Sequence, residues 1–174
     1  MNVIKTGLLF FIFFFFCSQA KDGISVIKTK CELINKNLKN FSRKTIEDAG
    51  QSADGGTITA YYERSKLQRI TAEYFGESGK NNSDYYFDDG VLIFVVEKDF
   101  KYNRPYYYDK KAAQENDDTE WYDNKKTKIE TNRFYFNNGI LFKWVNATNK
   151  ENPVDSAQSK KCKSELNRLV KLLR

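Results

Sequence analysis

The sequence predicts an α+β fold, an antiparallel β-meander of about six strands with N- and C-terminal helices packed on one side. Two observations support this prediction. Apolar residues recur at spacings of three and four near both ends of the chain, which is the period of a helix. Between the ends, runs of β-branched and aromatic residues alternate with turn residues, which is typical of strands joined as hairpins. Helices segregated from an antiparallel sheet define an α+β domain.

Residues 1–20 are predicted to be a secretory signal peptide. A positively charged start, "MNVIK", precedes the apolar run "TGLLFFIFFFF" and the small residues of "CSQA", so cleavage is expected between Ala20 and Lys21. The apolar run is shorter than the ~20 residues that a membrane-spanning helix needs. Lipid attachment at Cys17 is an alternative, although Phe16 stands where bacterial lipoprotein signals have a small residue. We therefore expect residues 21–174 to form a single domain that is periplasmic or secreted.

The terminal helices each carry a cysteine on their apolar stripe. Two cysteines in an exported chain are most simply read as a pair, so we predict a disulfide between Cys31 and Cys162. Two unpaired buried thiols are the alternative. The stripes consist of Ile27, Cys31, Ile34, Leu38 and Phe41 at one end, and of Cys162, Leu166, Leu169 and Leu173 at the other.

The six strands are predicted as three successive hairpins. The paired runs are "TITAYYE" with "LQRITAEYF", "SDYYF" with "VLIFVVEKDF", and "TKIETNRFYF" with "ILFKWVN". Asp89-Gly90 and Asn138-Gly139 favour tight turns, because these residue types tolerate positive φ. The likeness of "DYYFDDGVLIFV" to "FYFNNGILFKWV" is interpreted as the same hairpin made twice, which concerns architecture and not a duplicated site.

Composition excludes several kinds of chemistry. The chain has no histidine, which removes Ser-His-Asp and Cys-His nucleophilic sites and the common zinc arrangements. The formal net charge is +6, and much of the basic surplus lies in the two terminal helices. Such faces can attract an anionic surface weakly, but an exported protein has little access to nucleic acid, which we do not expect as a partner. No metal or cofactor is predicted.

The connection between the second and third hairpins is the predicted binding region. Connections of this length are commonly functional or mobile, and this one is rich in aromatic residues. The candidate contact residues are Tyr106, Tyr107, Tyr108, Trp121 and Tyr122. Tyrosine combines apolar area with a polar tip, which suits both binding and packing. The neighbouring carboxylates Glu115, Asp117, Asp118 and Glu120 provide an alternative, since a glycosidase needs two suitably separated acids.

The pattern of "YFGESGK", "YYFDDGVLIFV" and "RFYFNNGILFKW" resembles uncharacterised exported bacterial proteins with a signal peptide and a β-meander domain. The resemblance extends over about residues 24–150 and rests on hairpin texture. Tyrosine-aspartate repeats and MORN-like repeats have a similar texture, but Gly90 and Gly139 do not belong to a fixed-period series. No catalytic residues follow from the resemblance.

These observations lead us to expect a non-enzymatic binding or interaction domain of the bacterial envelope, with an unknown protein or glycan as its partner. Two alternatives remain open. A curved sheet backed by helices could carry a lipid or a small hydrophobic ligand. The acidic segment could instead belong to a carboxylate-dependent glycan hydrolase.

Overall fold

A computed structural model describes residues 12–173, which form one open antiparallel sheet of eight strands in chain order together with three α-helices. The helices are α1 (Ile12–Asn37), α2 (Lys110–Glu115) and α3 (Ser156–Leu172). The strands are β1 (Ser42–Glu47), β2 (Gly56–Glu63), β3 (Lys66–Gly76), β4 (Gly79–Asp88), β5 (Val91–Lys101), β6 (Lys128–Asn137), β7 (Ile140–Val145) and β8 (Glu151–Asn152).

The predicted signal peptide stays a prediction. Residues 1–11 lie outside the described residues, and so does the side chain of Cys17, the alternative site of lipid attachment. The expected cleavage point between Ala20 and Lys21 falls within α1.

The three predicted hairpins are confirmed, but the sheet has eight strands and not six. The additional strands are the two edges, β1 and β8. β1 has the sequence SRKTIE, in which every residue except Ile46 is exposed, so it shows no apolar alternation. β8 contains only two residues. Charged side chains and short length are both common in edge strands, because they discourage pairing with other chains.

The terminal helices cover opposite faces of the sheet, which corrects the prediction that they pack on one side. Successive side chains of a strand point to opposite faces. Tyr85 belongs to a cluster with residues of α3, whereas its neighbour Tyr86 belongs to a cluster with residues of α1. Consecutive buried residues in β4 and β6 therefore reflect a sheet that is covered on both sides.

Each helix uses its predicted stripe to complete one of two cores. We call them the α3-side core and the α1-side core. The α3-side core is the larger and contains Ile58, Ala60, Ile70, Ala72, Tyr85, Phe87, Leu92, Val95, Phe134, Phe136, Leu141, Cys162, Leu169 and Leu173. The α1-side core contains Ile27, Cys31, Ile34, Tyr86, Ile93 and Tyr135.

The predicted disulfide is not formed: Cys31 and Cys162 are free, buried cysteines. They belong to different cores, so the sheet lies between them. A disulfide requires Cα atoms within about 7 Å of each other, which this arrangement does not allow. Burial raises the pKa of each thiol to about 12. Both thiols therefore remain protonated and behave as small apolar groups.

The turns of the second and third predicted hairpins have the backbone that their sequences favour. Asp89 and Gly90 have φ values of +46° and +79°, and Asn138 and Gly139 have values of +48° and +71°. Positive φ at both central residues matches the twist of the flanking strands. In the first hairpin, Arg64 adopts a φ of +58° in a position where glycine would be the unstrained choice.

A β-bulge follows the turn in each of these three hairpins. The pairing shifts between Tyr61 and Tyr62, between Tyr86 and Phe87, and between Tyr135 and Phe136. In each case the second strand contains one residue without a direct partner: Gln68, Ile93 or Phe142. The hairpins pair in sequence, so all three turns lie at the same end of the sheet, which we call the turn end.

Candidate binding surface

The predicted binding region lies in a structured loop, residues 102–127, at the end of the sheet opposite the turn end; we call this loop the aromatic loop. It is tied to the tight turn between β3 and β4. The backbone N–H groups of Tyr102 and Tyr106 donate to the carbonyl oxygens of Ser78 and Glu77, each at 2.9 Å. The Tyr122 N–H donates to the Tyr108 carbonyl at 2.8 Å, which joins the two halves of the loop.

The short helix α2 stiffens the middle of the aromatic loop. Asp109 caps its N-terminus, because the Asp109 side chain accepts a hydrogen bond from the Ala112 N–H at 2.8 Å. Ala113 is almost fully buried, and its carbonyl oxygen accepts from the Asp118 N–H at 2.9 Å. These contacts fix the conformation of the middle of the aromatic loop.

Asp118 connects both sides of the aromatic loop. Its carboxylate forms an ion pair with Arg104 at 2.8 Å and accepts hydrogen bonds from the Glu120 N–H at 3.0 Å and the Tyr108 hydroxyl at 3.4 Å. The Glu120 N–H, together with the Arg104 charge, holds the pKa of Asp118 below its ordinary value against the opposing effect of desolvation. Asp118 is therefore a structural acceptor that stays ionised.

The structure divides the five predicted contact residues into two groups. Tyr108 and Tyr122 are half-buried within the loop. Tyr122 packs edge-on against Tyr102, with ring centroids 5.3 Å apart, and Arg104 lies 5.9 Å from the Tyr108 ring. The other three project outward: Tyr106, Tyr107 and Trp121 are 54%, 56% and 41% exposed.

The three exposed aromatic side chains are positioned by neighbours. Tyr106 and Tyr107 form an edge-to-face pair with centroids 5.6 Å apart. The Tyr107 hydroxyl donates to Glu77 Oε2 at 3.2 Å, and this carboxylate raises the pKa of Tyr107. The ammonium group of Lys110 lies 5.5 Å from the centroid of the Trp121 ring. Trp121 is further held by its backbone, because the Asn103 side chain donates to the Trp121 carbonyl at 3.0 Å.

The remaining carboxylates proposed for hydrolysis lie on the exposed rim of the aromatic loop. Glu115 is 3.7 Å from the ammonium of Lys111, and Glu120 is 3.3 Å from that of Lys126. Asp117 is exposed in a turn with a φ of +53°. Across residues 12–173, no group of three or more acidic or thiol side chains is arranged to hold a metal ion.

A second polar cluster, which no sequence pattern predicted, joins α3 to the sheet. Asp48, only 9% exposed, accepts hydrogen bonds from Arg168 Nη1 at 2.6 Å and from the Tyr74 hydroxyl at 3.0 Å. Arg168 also donates to Tyr74, and its Nη2 donates to Glu165 at 2.7 Å. Gly56 is needed beside this cluster, because a Cβ atom there would lie 2.4 Å from the Tyr74 ring.

We call this cluster of Asp48, Tyr74, Glu165 and Arg168 the clamp, and its protonation states suit a structural role. Burial acts to raise the pKa of Asp48, but the hydrogen bonds from Arg168 and Tyr74 outweigh burial and hold the pKa below its ordinary value. Burial and the hydrogen bond to Asp48 raise the pKa of Tyr74 to about 12. Tyr74 is therefore a neutral donor, Asp48 an ionised acceptor, and Arg168 the cation between them. Their sequence separations of 26 and 120 residues explain why no local pattern indicated the contact.

The basic residues of the terminal helices are divided between the two faces of the sheet, because α1 and α3 lie on opposite sides. They do not combine into one patch on one side. Among the described residues, no helix is long and apolar enough to cross a membrane.

Comparison with protein-family models, curated proteins and solved structures found no match to this chain. The resemblance to exported bacterial proteins therefore stays a hypothesis based on hairpin texture.

Proposed function

We propose that the chain is an exported, non-enzymatic binding domain that contacts a protein or glycan of the cell envelope through the aromatic loop. One observation carries this proposal: Tyr106, Tyr107 and Trp121 are exposed on a loop that its own hydrogen bonds hold in one conformation. The aromatic loop thus presents large aromatic side chains that the cores do not use.

Rigid exposed aromatic groups are well suited to recognition. Each buries a large area when a partner covers it, and few rotatable bonds need to be fixed. Preorganisation lowers the entropic cost of binding, since the loop does not have to be ordered by the partner. Tyrosine and tryptophan are also the residues that most often dominate binding energies at interfaces.

Export is the proposed route to this partner. The charged start, the apolar run and the small residues before Lys21 support it. The free thiols do not oppose it, because each is buried on its own side of the sheet and cannot reach the other.

Hydrolysis receives less support than binding. A glycosidase needs a general acid whose pKa is raised, so that it remains protonated near neutral pH. The pKa of Asp118 is shifted in the opposite direction, and the Glu120 carboxylate lies beside Lys126. The carrier alternative is supported by a separate apolar groove at the turn end of the sheet.

Replacing Tyr107 and Trp121 together by alanine is expected to weaken partner binding by at least about tenfold, because truncating an aromatic residue that dominates an interface costs about 2 kcal/mol or more. The full chain would be tested against a panel of envelope glycans and against envelope proteins cross-linked to it in its own host. Affinity for each partner found with the original sequence would then be measured with the double variant.

The matched control is Ile140→Ala, which removes an exposed apolar side chain at the turn end of the sheet. This control should bind like the original sequence, and both variants should keep its stability because their targets are exposed. If the double variant binds every partner with unchanged affinity, the aromatic loop is not the contact surface and the proposal fails.

A further inference from the structure

An apolar groove of about 700 Å³ lies at the turn end of the sheet, between α1 and the last two predicted hairpin turns. Its volume falls within the range of ordinary small-molecule sites. Five apolar residues outside the α3-side core line most of it: Val26, Ile27, Val91, Ile93 and Phe142. Val26, Val91 and Phe142 remain exposed, so nothing in the described chain covers this wall completely.

The β-bulges supply two of these groove residues. In regular pairing, neighbouring residues point to opposite faces, and Leu92 accordingly belongs to the α3-side core. The bulge lets both Ile93 and Phe94 contact the α1-side core. The bulge in the third hairpin adds Phe142, whose ring lies 6.5 Å from that of Tyr135 in the same core. The repeated hairpin therefore shapes the groove.

Helix α1 borders the groove without filling it. Gly23 lines the groove, and a Cβ atom added there would meet no other atom within 4 Å. One turn further along, Val26 contributes to the wall while about half of its surface stays accessible. The space between helix and turns is therefore open along this part of α1.

An ion pair between Lys30 and Asp88 marks the polar end of the groove. The same two residues also line a smaller pocket of about 260 Å³, which contains the amides of Asn37 and Gln68. Gln68 is the bulge residue of the first hairpin. The ion pair thus separates a large apolar compartment from a smaller one with more polar groups.

The charged groups at this junction are two ion pairs and one further carboxylate, Glu63, which lines the smaller pocket. Asp88 is paired with Lys30, and Asp89 is paired with Lys66 at 2.7 Å. A purely anionic head group would have to compete with Asp88 for Lys30 and would leave that carboxylate without its cation. A zwitterionic head group can contact both members of the pair, since it carries both signs of charge.

We propose that the groove binds a single-chain amphiphile, with its alkyl chain against Ile93 and Phe142 and its zwitterionic head group at the Lys30–Asp88 pair. The apolar wall provides the favourable burial of the chain. The ion pair and the neighbouring amides provide the complementary charges and hydrogen-bonding groups. This site is independent of the aromatic loop, which lies at the other end of the sheet.

The probe for this site is dodecylphosphocholine, a zwitterionic single-chain amphiphile, titrated into the full chain below its critical micelle concentration. Isothermal titration calorimetry should show saturable binding of one molecule per chain. Val26→Trp, which fills the groove from an exposed helical position, should reduce affinity by at least about tenfold. Thr29→Trp adds the same side chain at an exposed α1 position outside the groove and should bind like the original sequence.

Dodecyl sulfate, titrated in the same way, tests the head group and should bind at least about tenfold more weakly. The Tyr107→Ala, Trp121→Ala double variant should bind dodecylphosphocholine normally, which separates this site from the proposed function. Absence of saturable binding, or equal binding by Val26→Trp and the original sequence, overturns the proposal. Equal or tighter binding of dodecyl sulfate overturns the assignment of the head group.

Discussion

Replacing Phe134 by alanine is expected to lower the free energy of unfolding by about 4 kcal/mol, because it opens a cavity in the larger core. Phe134 is 1% exposed in the α3-side core. Its ring stacks on that of Trp144 with centroids 5.7 Å apart, so the substitution also removes an aromatic contact. Equilibrium denaturation, followed by the circular dichroism of the sheet, measures the loss.

Ile129→Ala is the matched control, because Ile129 lies on the same strand, β6, but is 57% exposed. It should change stability by no more than about 0.5 kcal/mol. If Phe134→Ala and Ile129→Ala lowered the free energy of unfolding by similar amounts, the α3-side core would not surround Phe134 as described. If Phe134→Ala does not fold, Phe134→Leu should recover a folded protein with a smaller loss.

Arg168→Met is expected to cost about 3 kcal/mol at neutral pH, since it leaves the buried Asp48 carboxylate without its cation. Arg168 reaches Asp48, Tyr74 and Glu165 from α3, and this cluster holds the helix to the β1–β2 loop and to β3. The stability of Arg168→Lys should lie between that of the original protein and that of Arg168→Met, because lysine keeps the charge but lacks the planar fork that contacts several partners. Lys163→Met, at an exposed position of the same helix, is the control.

The effect of Arg168→Met should depend on pH in a defined direction. The pKa of Asp48 is lowered in the folded protein, so the stabilisation from its ionised form is present above the ordinary carboxyl pKa of about 3.9 and is lost as pH falls through the lower folded value. The stability difference between variant and original should therefore narrow below about pH 4. A stability difference that stays constant as the pH falls below about 4 would assign the role of Arg168 to packing alone.

Much of the sheet could be predicted, because hairpin turns and strand residues act locally. Asp89-Gly90 and Asn138-Gly139 adopt the positive φ values that their sequences favour. β1 could not be recognised in the same way, since an exposed, charged edge strand has no alternating apolar pattern. Its pairing with β2 comes from hydrogen bonds that any residue can make.

The placement of the two helices could not be obtained from their apolar stripes. A stripe shows which side of a helix is buried, but it does not show which face of a sheet the helix covers. The continuous run of apolar residues in β5 contained the missing signal, because strands buried on both faces have such runs. The incorrect disulfide between Cys31 and Cys162 was predicted from the number of cysteines and the expected export, but it could form only if both helices lay on one side of the sheet.

In the candidate sites too, features set by neighbouring residues could be predicted, whereas features set by residues far apart in the chain could not. Local composition identified the aromatic loop, although it did not show that Tyr108 and Tyr122 are half-buried while Trp121 is exposed. The groove depends on two β-bulges and on the position of α1, and the clamp joins Asp48 to Arg168 across 120 residues. Neither arrangement has a signature in a short stretch of sequence.

The thiol groups of Cys31 and Cys162 test most directly whether α1 and α3 cover opposite faces of one sheet. Protein purified without reductant would be unfolded in guanidinium, treated with iodoacetamide and examined by peptide mass mapping. We predict that the peptides containing Cys31 and Cys162 both carry the label, whereas the native protein reacts slowly because both thiols are buried. Recovery of these two peptides unlabelled and joined by a disulfide would contradict the account, since the helices would then have to share one face.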